Sequence, residues 1–184
     1  TVIYNANGQP VEQNDAKGSM ALNAYDFLAR PTHVWAKDLA SESVTLRQRM
    51  EYGESASNPK QDNLLGQLYH QFDEAGVETV TSYDFKGNPL TKQRKVISDS
   101  EILNVFSGPS TNWDVPTYRV DWTGKDETTS ILDSTVYQTD MEYDALDRVT
   151  KMTYPEDVNN NRKVMAPTYN KAGNLKSVDF DGTE

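Results

Sequence analysis

Tyr143-Asp144-Ala145-Leu146-Asp147-Arg148-Val149-Thr150 is the stretch that best indicates the fold of this chain. An aromatic residue is followed by an acid whose side chain can accept hydrogen bonds from backbone N–H groups two residues on, and this starts a turn. Residues alternate between polar and apolar before the stretch, in 137–143, and the chain continues after it with further β-branched residues. The stretch therefore predicts two antiparallel strands joined by a short turn, which is a β-hairpin.

The same local unit occurs six times along the chain. It consists of an aromatic residue, then Asp or Asn, then a small or turn-forming residue four positions after the aromatic. The copies are Tyr4-Asn5 with Gly8, Tyr25-Asp26 with Ala29, Phe72-Asp73 with Gly76, Tyr83-Asp84 with Gly87, Tyr143-Asp144 with Asp147, and Tyr169-Asn170 with Gly173. Glycine at the last place supplies a positive φ without steric cost, so Ala29 and Asp147 indicate turns that differ or that accept strain. Because one short hairpin cannot bury its own apolar face, we expect the hairpins to stack side by side into one sheet.

Composition and periodicity both favour strands. Val, Ile and Thr together make up 36 of the 184 residues, and there are 10 Tyr; such side chains fit a pleated, half-buried surface. Polar and apolar residues alternate in 44–52, 118–122 and 137–143, which predicts strands with one buried and one wet face. Residues 98–106 form the one helix candidate, because Ser98 and Glu101 have the spacing of a capping box. The predicted fold class is all-β, with repeated antiparallel hairpins in a curved or spiralling sheet and at most one short helix.

The expected domain organisation is a single repeat segment over residues 1–184, excised from a larger protein. Inserted loops are expected near 53–63 and 98–130, where the spacing between successive units is longest.

Charge and cysteine content exclude several classes of function. There are 18 Lys and Arg against 28 Asp and Glu, for a net charge of −10, so the chain is a poor general partner for nucleic acid or anionic membranes. No apolar run approaches the roughly 18 residues of a membrane span. The absence of Cys excludes disulfides, thiolate zinc sites and Cys nucleophiles.

The candidate catalytic and metal-binding residues all have a simpler structural explanation. His33 and His70 are the two groups that titrate near neutral pH, and both are expected to be structural. Adjacent acids such as Asp73-Glu74 and Glu156-Asp157 face opposite sides of a strand and do not converge on one site. The segments 157–161 and 179–182 lack the ligand pattern of a calcium loop, and turn formation explains them better. We therefore predict no enzyme activity, no metal and no cofactor.

Two further groups of residues are candidate binding surfaces: basic clusters for nucleic acid and tryptophans for sugar. Arg47 and Arg49, and the cluster of Lys92, Arg94 and Lys95, are expected on the wet face of strands. The three tryptophans, at positions 35, 113 and 122, could bind a sugar, although aromatics in alternating strands are more often part of the core.

Tandem Tyr-Asp-x-x-x-Gly units resemble those of the Rhs/YD-repeat family. Longer phrases narrow the resemblance to the repeat shell of bacterial insecticidal toxin complexes, in particular the B component. These phrases are Asn63-Leu64-Leu65-Gly66-Gln67-Leu68-Tyr69 before Phe72-Asp73-Glu74-Ala75-Gly76, Tyr83-Asp84-Phe85-Lys86-Gly87-Asn88, and Tyr143 to Thr150. The resemblance is weakest in residues 98–131.

The resemblance implies a non-catalytic, secreted wall segment of a β-shell that encloses a toxin polypeptide. Its implied partners are neighbouring YD repeats of the parent chain, a partner shell subunit and the enclosed polypeptide, without nucleic acid or membrane insertion. Exposed sheet edges would also permit self-association. The alternative is an extracellular adhesion or carbohydrate-binding module built on the same repeats.

Overall fold

The computed structural model describes residues 1–106 and 117–182. This part of the chain contains twelve strands, β1 to β12. Their bounds are Val2–Tyr4, Pro10–Asn14, Met20–Tyr25, Pro31–Lys37, Thr45–Tyr52, Leu68–Asp73, Gly76–Tyr83, Pro89–Val96, Tyr137–Tyr143, Val149–Glu156, Arg162–Tyr169 and Leu175–Phe180.

The strands form one sheet in which each strand neighbours the next strand along the chain, from β1 to β12. Such an order arises when each strand turns back and pairs antiparallel with the next, whether through a tight turn or a longer insertion, so the predicted repeated antiparallel pairing and the all-β class are confirmed. The sheet is not closed, and β1 and β12 are its two edges.

Among the residues that the structure describes, helix is confined to short pieces, as predicted. The α-helix α1 spans Asp99–Leu103, and its N-cap Ser98 accepts a hydrogen bond from the backbone N–H of Glu101. Single 3₁₀ turns lie at Gly53–Ser55 and Asn104–Phe106.

Two sequence predictions about strands were wrong. Residues 117–122 are not a strand, although their alternation did place Val120 and Trp122 inward, at 1% and 0% exposure. In β5 the alternation breaks because a bulge shifts the register: Trp35 lies opposite Leu46, but Val34 lies opposite Gln48. Arg47 is the extra residue, and it is buried like Leu46 beside it.

The described chain divides into two compact units. Unit 1 contains Thr1–Glu51, His70–Val77 and Lys95–Ser134, and unit 2 contains Tyr52–Tyr69, Glu78–Arg94 and Thr135–Glu184, each within the described residues.

The core of unit 1 lies between the sheet and a segment inserted after β8, residues 117–134, here called the cover segment. Val120, Trp122 and Ile131 of this segment pack with Leu46, Phe72, Val77 and Ile97. The Phe72 and Trp122 rings meet edge to face, with centroids 5.1 Å apart. The cover segment therefore supplies the second layer that a single sheet lacks.

Hydrogen bonds fix the cover segment to the sheet. Trp122 donates its indole N–H to the carbonyl of Asp73, at 3.0 Å, and its backbone N–H to the carbonyl of Leu46, at 2.9 Å. The Leu46 N–H in turn donates to the Asp121 carboxylate, at 3.2 Å. These bonds satisfy backbone groups that the strands leave free.

The core of unit 2 is smaller and lies beside the loop between β5 and β6. Leu64, Val80 and Tyr83 are buried there. The loop is held by the Tyr83 N–H, which donates to the Asp62 carbonyl, and by the Asn63 amide, which donates to the Tyr83 carbonyl, both at 2.9 Å.

Replacing Trp122 by Ala tests the role of the cover segment. The change empties a fully buried site and removes the hydrogen bond to Asp73, so we expect a loss of about 3–5 kcal/mol in the free energy of unfolding. The control Phe27→Ala removes a ring that is 94% exposed, and its effect is expected to stay within about 0.5 kcal/mol. Urea denaturation measures both; equal effects would contradict the packing described for Trp122.

Candidate functional site

The repeated turns are built on one hydrogen-bonding scheme. In five of the six predicted copies, the Asp or Asn donates its backbone N–H to the carbonyl four residues on, at 2.9 Å. Its Oδ1 accepts from the backbone N–H groups two and four residues on, at 2.8–3.1 Å. These copies begin at Asn5, Asp26, Asp84, Asp144 and Asn170. One side-chain oxygen thus satisfies two backbone donors that the turn would otherwise leave free.

The fourth residue of each of these turns has a positive φ. It is 76° at Gly8, 89° at Gly87 and 84° at Gly173, but also 64° at Ala29 and 62° at Asp147. The two departures from Gly therefore keep the same conformation and carry the strain of a side chain in the left-handed region.

The copy at Phe72 is built differently. Asp73 Oδ1 accepts from the N–H groups of Ala75 and Gly76, which makes a tighter connection between β6 and β7. Gly76 is needed for space, because a Cβ there would collide with the backbone carbonyl of Lys95.

Two further turns of the five-residue kind have no aromatic before them: the one at Asp15 was missed, and 157–161 was predicted as a turn but not as a copy of the repeated unit. Asp15 accepts from the N–H groups of Lys17 and Ser19, and Asp157 accepts from those of Asn159 and Asn161. The Asp or Asn at the start, not the aromatic, was the signal that could have found them.

The tyrosine that precedes the turn makes a separate hydrogen bond in three copies. Tyr25, Tyr83 and Tyr169 each end a strand and donate their hydroxyl to the carbonyl of the first residue of the preceding strand. The acceptors are Pro10, Leu68 and Val149, at 3.0, 2.6 and 2.9 Å. Each hydroxyl therefore ties the end of its own strand to the start of the adjacent strand.

The register beside the turns repeats as well. Tyr143 lies opposite Val149, yet Glu142 lies opposite Lys151, so one residue is extra on the second strand. The same shift follows the turns at Tyr4, Tyr25 and Tyr169. In these four copies the bulge follows the turn directly, and it sets which side chains of the next strand face each side of the sheet. The turn at Asp15 has no such bulge beside it.

Successive turns at the same end of the strands are linked by side chains. In unit 1 the Gln9 amide donates to the Ala29 carbonyl, at 2.8 Å. In unit 2 Lys86 and Asn88 reach the Asp147 carboxylate at 3.0 and 2.9 Å. These contacts explain why an acid replaces Gly at 147, and the bond from Lys86, followed by that from Asn88, holds the pKa of Asp147 below its ordinary value.

The sheet of unit 2 has one methionine-rich face. Met141, Met152 and Met165 lie opposite one another on β9, β10 and β11, and Phe180 on β12 lies opposite Met165. Directly opposite residues of antiparallel strands share a face, so these four side chains form a row.

The other face of unit 2 carries a polar network. Gln93 bonds to Gln138 at 3.0 Å, and Thr91 donates to Asp140 at 2.9 Å. Arg162 also bonds to Asp140, at 2.7 Å, and donates to the backbone carbonyls of Gln138, Thr153 and Tyr154. These carbonyls lie on β9 and β10, so one guanidinium joins three strands where the β10–β11 register shifts.

The paired acids serve local structure. Glu74 forms an ion pair with Arg47 at 2.8 Å, and Asp157 starts a turn. In the segment 179–182, Asp179 accepts from the Gly182 N–H and Asp181 from the Val164 N–H. Within residues 1–106 and 117–182, no three His, Asp or Glu side chains are grouped closely enough to hold a metal ion, and no helix is long and apolar enough to cross a membrane.

The prediction that Arg47 lies on a wet face was wrong, because the β5 bulge turns it inward to 7% exposure. Two of the three tryptophans, Trp35 and Trp122, belong to or pack against the unit 1 core. Trp113 lies outside the described residues.

The fold is similar to that of solved toxin-complex structures. No protein family and no curated protein matches the chain by sequence. The crystal structure of TcdB2-TccC3 matches with a TM-score of 0.76 and 19% identity, over 98% of this chain and 8% of the other. The Photorhabdus luminescens Tc holotoxin pore matches with a TM-score of 0.76 and 20% identity, over the same shares of the two chains. The chain therefore has the fold of a segment that spans 8% of these much longer chains, and the predicted resemblance is confirmed at the level of fold.

A matched pair of substitutions tests the strain at the fourth turn position. Ala29→Gly removes a side chain from the left-handed region and should stabilise the chain by about 0.5–1 kcal/mol. Gly8→Ala introduces one where nothing lies within 4 Å of the new Cβ, so it should destabilise by about the same amount through conformation alone. Urea denaturation of both variants gives the two signs; equal signs would contradict the shared turn geometry.

The turn carboxylates predict an acid-dependent loss of stability. The Asn88 amide, together with the N–H groups of Asn88 and Lys86, outweighs burial and holds the pKa of Asp84 below its ordinary value of 3.8. The bonded carboxylate therefore stabilises the fold above the unfolded-state pKa, and this contribution is lost as the pH falls through the lowered pKa.

Asp84→Asn keeps the accepting oxygen but does not titrate, so the fall in the urea midpoint between pH 6 and pH 2.5 should become smaller. Asn170→Asp places a carboxylate in a matched turn and should make the fall larger. Unchanged pH profiles in both variants would show that these side chains are not hydrogen-bonded as described.

Proposed function

We propose that this chain is a non-catalytic wall segment of a YD-repeat β-shell that encloses a toxin polypeptide in a secreted bacterial toxin complex. The observation that carries the proposal is the sheet itself: twelve strands in chain order, most of them joined by the same five-residue turn, with the fold of a segment of Tc toxin structures. A wall of this kind acts by exclusion, since it separates the enclosed chain from proteases and from other proteins.

The construction of the turns supports a wall. Most strands end in the same hydrogen-bonded unit, and links such as Gln9 to Ala29 and Lys86 to Asp147 join one turn to the next. A sheet that grows by identical steps has no intrinsic limit to its length, as in other repeat proteins.

The two edge strands of the sheet, β1 and β12, indicate what kind of partner the segment has. Val2, Ile3 and Tyr4 on β1 are 44–60% exposed, and Leu175, Val178 and Phe180 on β12 are 37–59% exposed. Edge strands with free backbone groups and apolar side chains pair readily with further strands. We assign these edges to neighbouring repeats of the parent chain or to a partner shell subunit; in the isolated segment they would also permit self-association.

The second candidate is an adhesion or carbohydrate-binding module. This candidate is favoured by the exposure of two aromatic rings at the tips of turns: Phe27 is 94% exposed and Phe85 is 86% exposed. Binding on a glycan array that is lost in Phe85→Ala would favour this candidate, whereas Trp35 and Trp122 are not available for it because they pack in the core region.

Protease protection tests the container. The full-length parent with its partner subunit is digested intact, then denatured, and surviving fragments are identified by mass spectrometry. We expect a protected polypeptide that is distinct from the repeats. If digestion of the intact assembly leaves no such fragment, the proposal is wrong.

A variant that disrupts the sheet makes the protease-protection test more specific. Gly76→Ala in the parent forces a Cβ against the Lys95 carbonyl and should open the β7–β8 pairing, so that the passenger is cut without denaturation. Gly66→Ala is the matched control, because Gly66 also has a positive φ but has nothing within 4 Å of the new Cβ; its passenger should stay protected.

A further inference from the structure

Both histidines of the chain lie beside one arginine in unit 1. His33 on β4 is directly opposite Arg49 on β5, and its ring stacks on Trp35 with centroids 5.1 Å apart and an interplanar angle of 9°. His70 on β6 is 6% exposed, and its ring centroid is 6.0 Å from that of Phe72. The Arg49 guanidinium lies over the same Phe72 ring, 3.9 Å from its centroid.

Arg49 is also a contact between the sheet and the cover segment. Its Nη1 donates to the Lys125 carbonyl at 2.8 Å. Its Nε is buried without a hydrogen bond, although it lies 3.0 Å from the Glu51 carboxylate. Phe72, under the guanidinium, packs against Trp122 of the cover segment. Charge added here therefore acts on the attachment of the cover segment.

The charged groups around the histidines are of both signs. Glu51 on β5 and Glu127 of the cover segment favour the protonated ring, and Arg49 opposes it. Asp126 and Lys125 lie nearby on the cover segment and interact with Arg49, and Lys95 on β8 donates to the Glu127 carbonyl. Ala24, opposite His33 on β3, carries no charge.

Burial dominates this balance. It is the largest cause that lowers the pKa of both His33 and His70 below the ordinary 6.5, and Arg49 adds to it. The structure with the cover segment attached therefore favours the neutral form of both imidazole rings. As the pH falls through 6.5 towards the lowered values, the opened state binds more protons and opening becomes more favourable.

We propose that His33 and His70 make the attachment of the cover segment acid-sensitive, so that acidification detaches residues 117–134 from β4, β5 and β6 while the hairpin sheet of unit 2 stays intact. The inference concerns unit 1 alone and does not depend on the proposed container function. The two histidines act through their neighbours Arg49 and Phe72, which contact the cover segment directly, and no ligand is needed.

Amide hydrogen exchange measured by NMR on the full chain from pH 7.5 to pH 5.0 tests the proposal. The reporter is the Trp122 N–H, bonded to Leu46, and the reference is the Tyr83 N–H in unit 2, bonded to Asp62. After correction for intrinsic exchange, protection at Trp122 should fall by up to about tenfold per pH unit for each histidine. Protection at Tyr83 should not change.

The double variant His33→Gln with His70→Gln removes both imidazoles and should abolish the fall at Trp122. An equal fall in the variant, or no fall in the original chain, would overturn the proposal. If the double variant does not fold, an NMR titration of the imidazole protons of His33 and His70 in the original chain gives an independent test. Both midpoints should lie below 6.5, and midpoints at or above 6.5 would also overturn it.

Discussion

The structure depends on one oxygen atom in each turn. When a strand ends and the chain reverses, several backbone N–H groups lose their ladder partners, and a sheet of many short strands meets this problem at every hairpin. Here the Oδ1 atom of an Asp or Asn accepts two of these N–H groups, as Asp84 does for Lys86 and Asn88. Because the acceptor belongs to the turn, each hairpin can close without help from the rest of the fold.

Other regularities accompany this turn. The same bulge lies beside the turns at Tyr4, Tyr25, Tyr143 and Tyr169, and the bulge sets which side chains face together on the next strand. The turn at Asp15 has the same length, but the strand pairs beside it show no register shift. In unit 2 the result is a sheet with a methionine row on one face and a hydrogen-bonded polar network on the other. Such two-sided strands specify their register strongly, because a slip of one residue would exchange the two faces. A sheet built in this way extends by local rules, which suits the wall of a large shell.

Unit 1 departs from the repeat where the cover segment lies on it. Its aromatic core, centred on Phe72 and Trp122, requires a second layer that the hairpins do not provide. His33 and His70 lie beside this core, next to Arg49 and Phe72, so the part of the chain with the aromatic core also contains the two histidines whose pKa is lowered by burial. The regular and the irregular parts of the chain thus differ in what stabilises them.

Much of the fold could be predicted because it is local. The Asp or Asn of each turn, the strand alternation and the Ser98 cap act within a few residues, and the sequence displays them directly. The inward position of Arg47 could not be predicted, because it results from a bulge set by pairing with β4. Long-range contacts could not be predicted either. Nothing near Trp122 in the sequence indicates that it packs on Phe72. Nothing near Arg162 indicates that it joins three strands.

The turns at Asp144 and Asp157 should fix the register of β10 against both of its neighbours, and this register can be measured directly. Nuclear Overhauser contacts between backbone protons should link Met152 with Met141 on one side and with Met165 on the other. This result is predicted if the turns at Asp144 and Asp157 close as described. Contacts of Met152 with Glu142 or Val164 in their place would show a register shifted by one residue and would mean that these turns do not close as described.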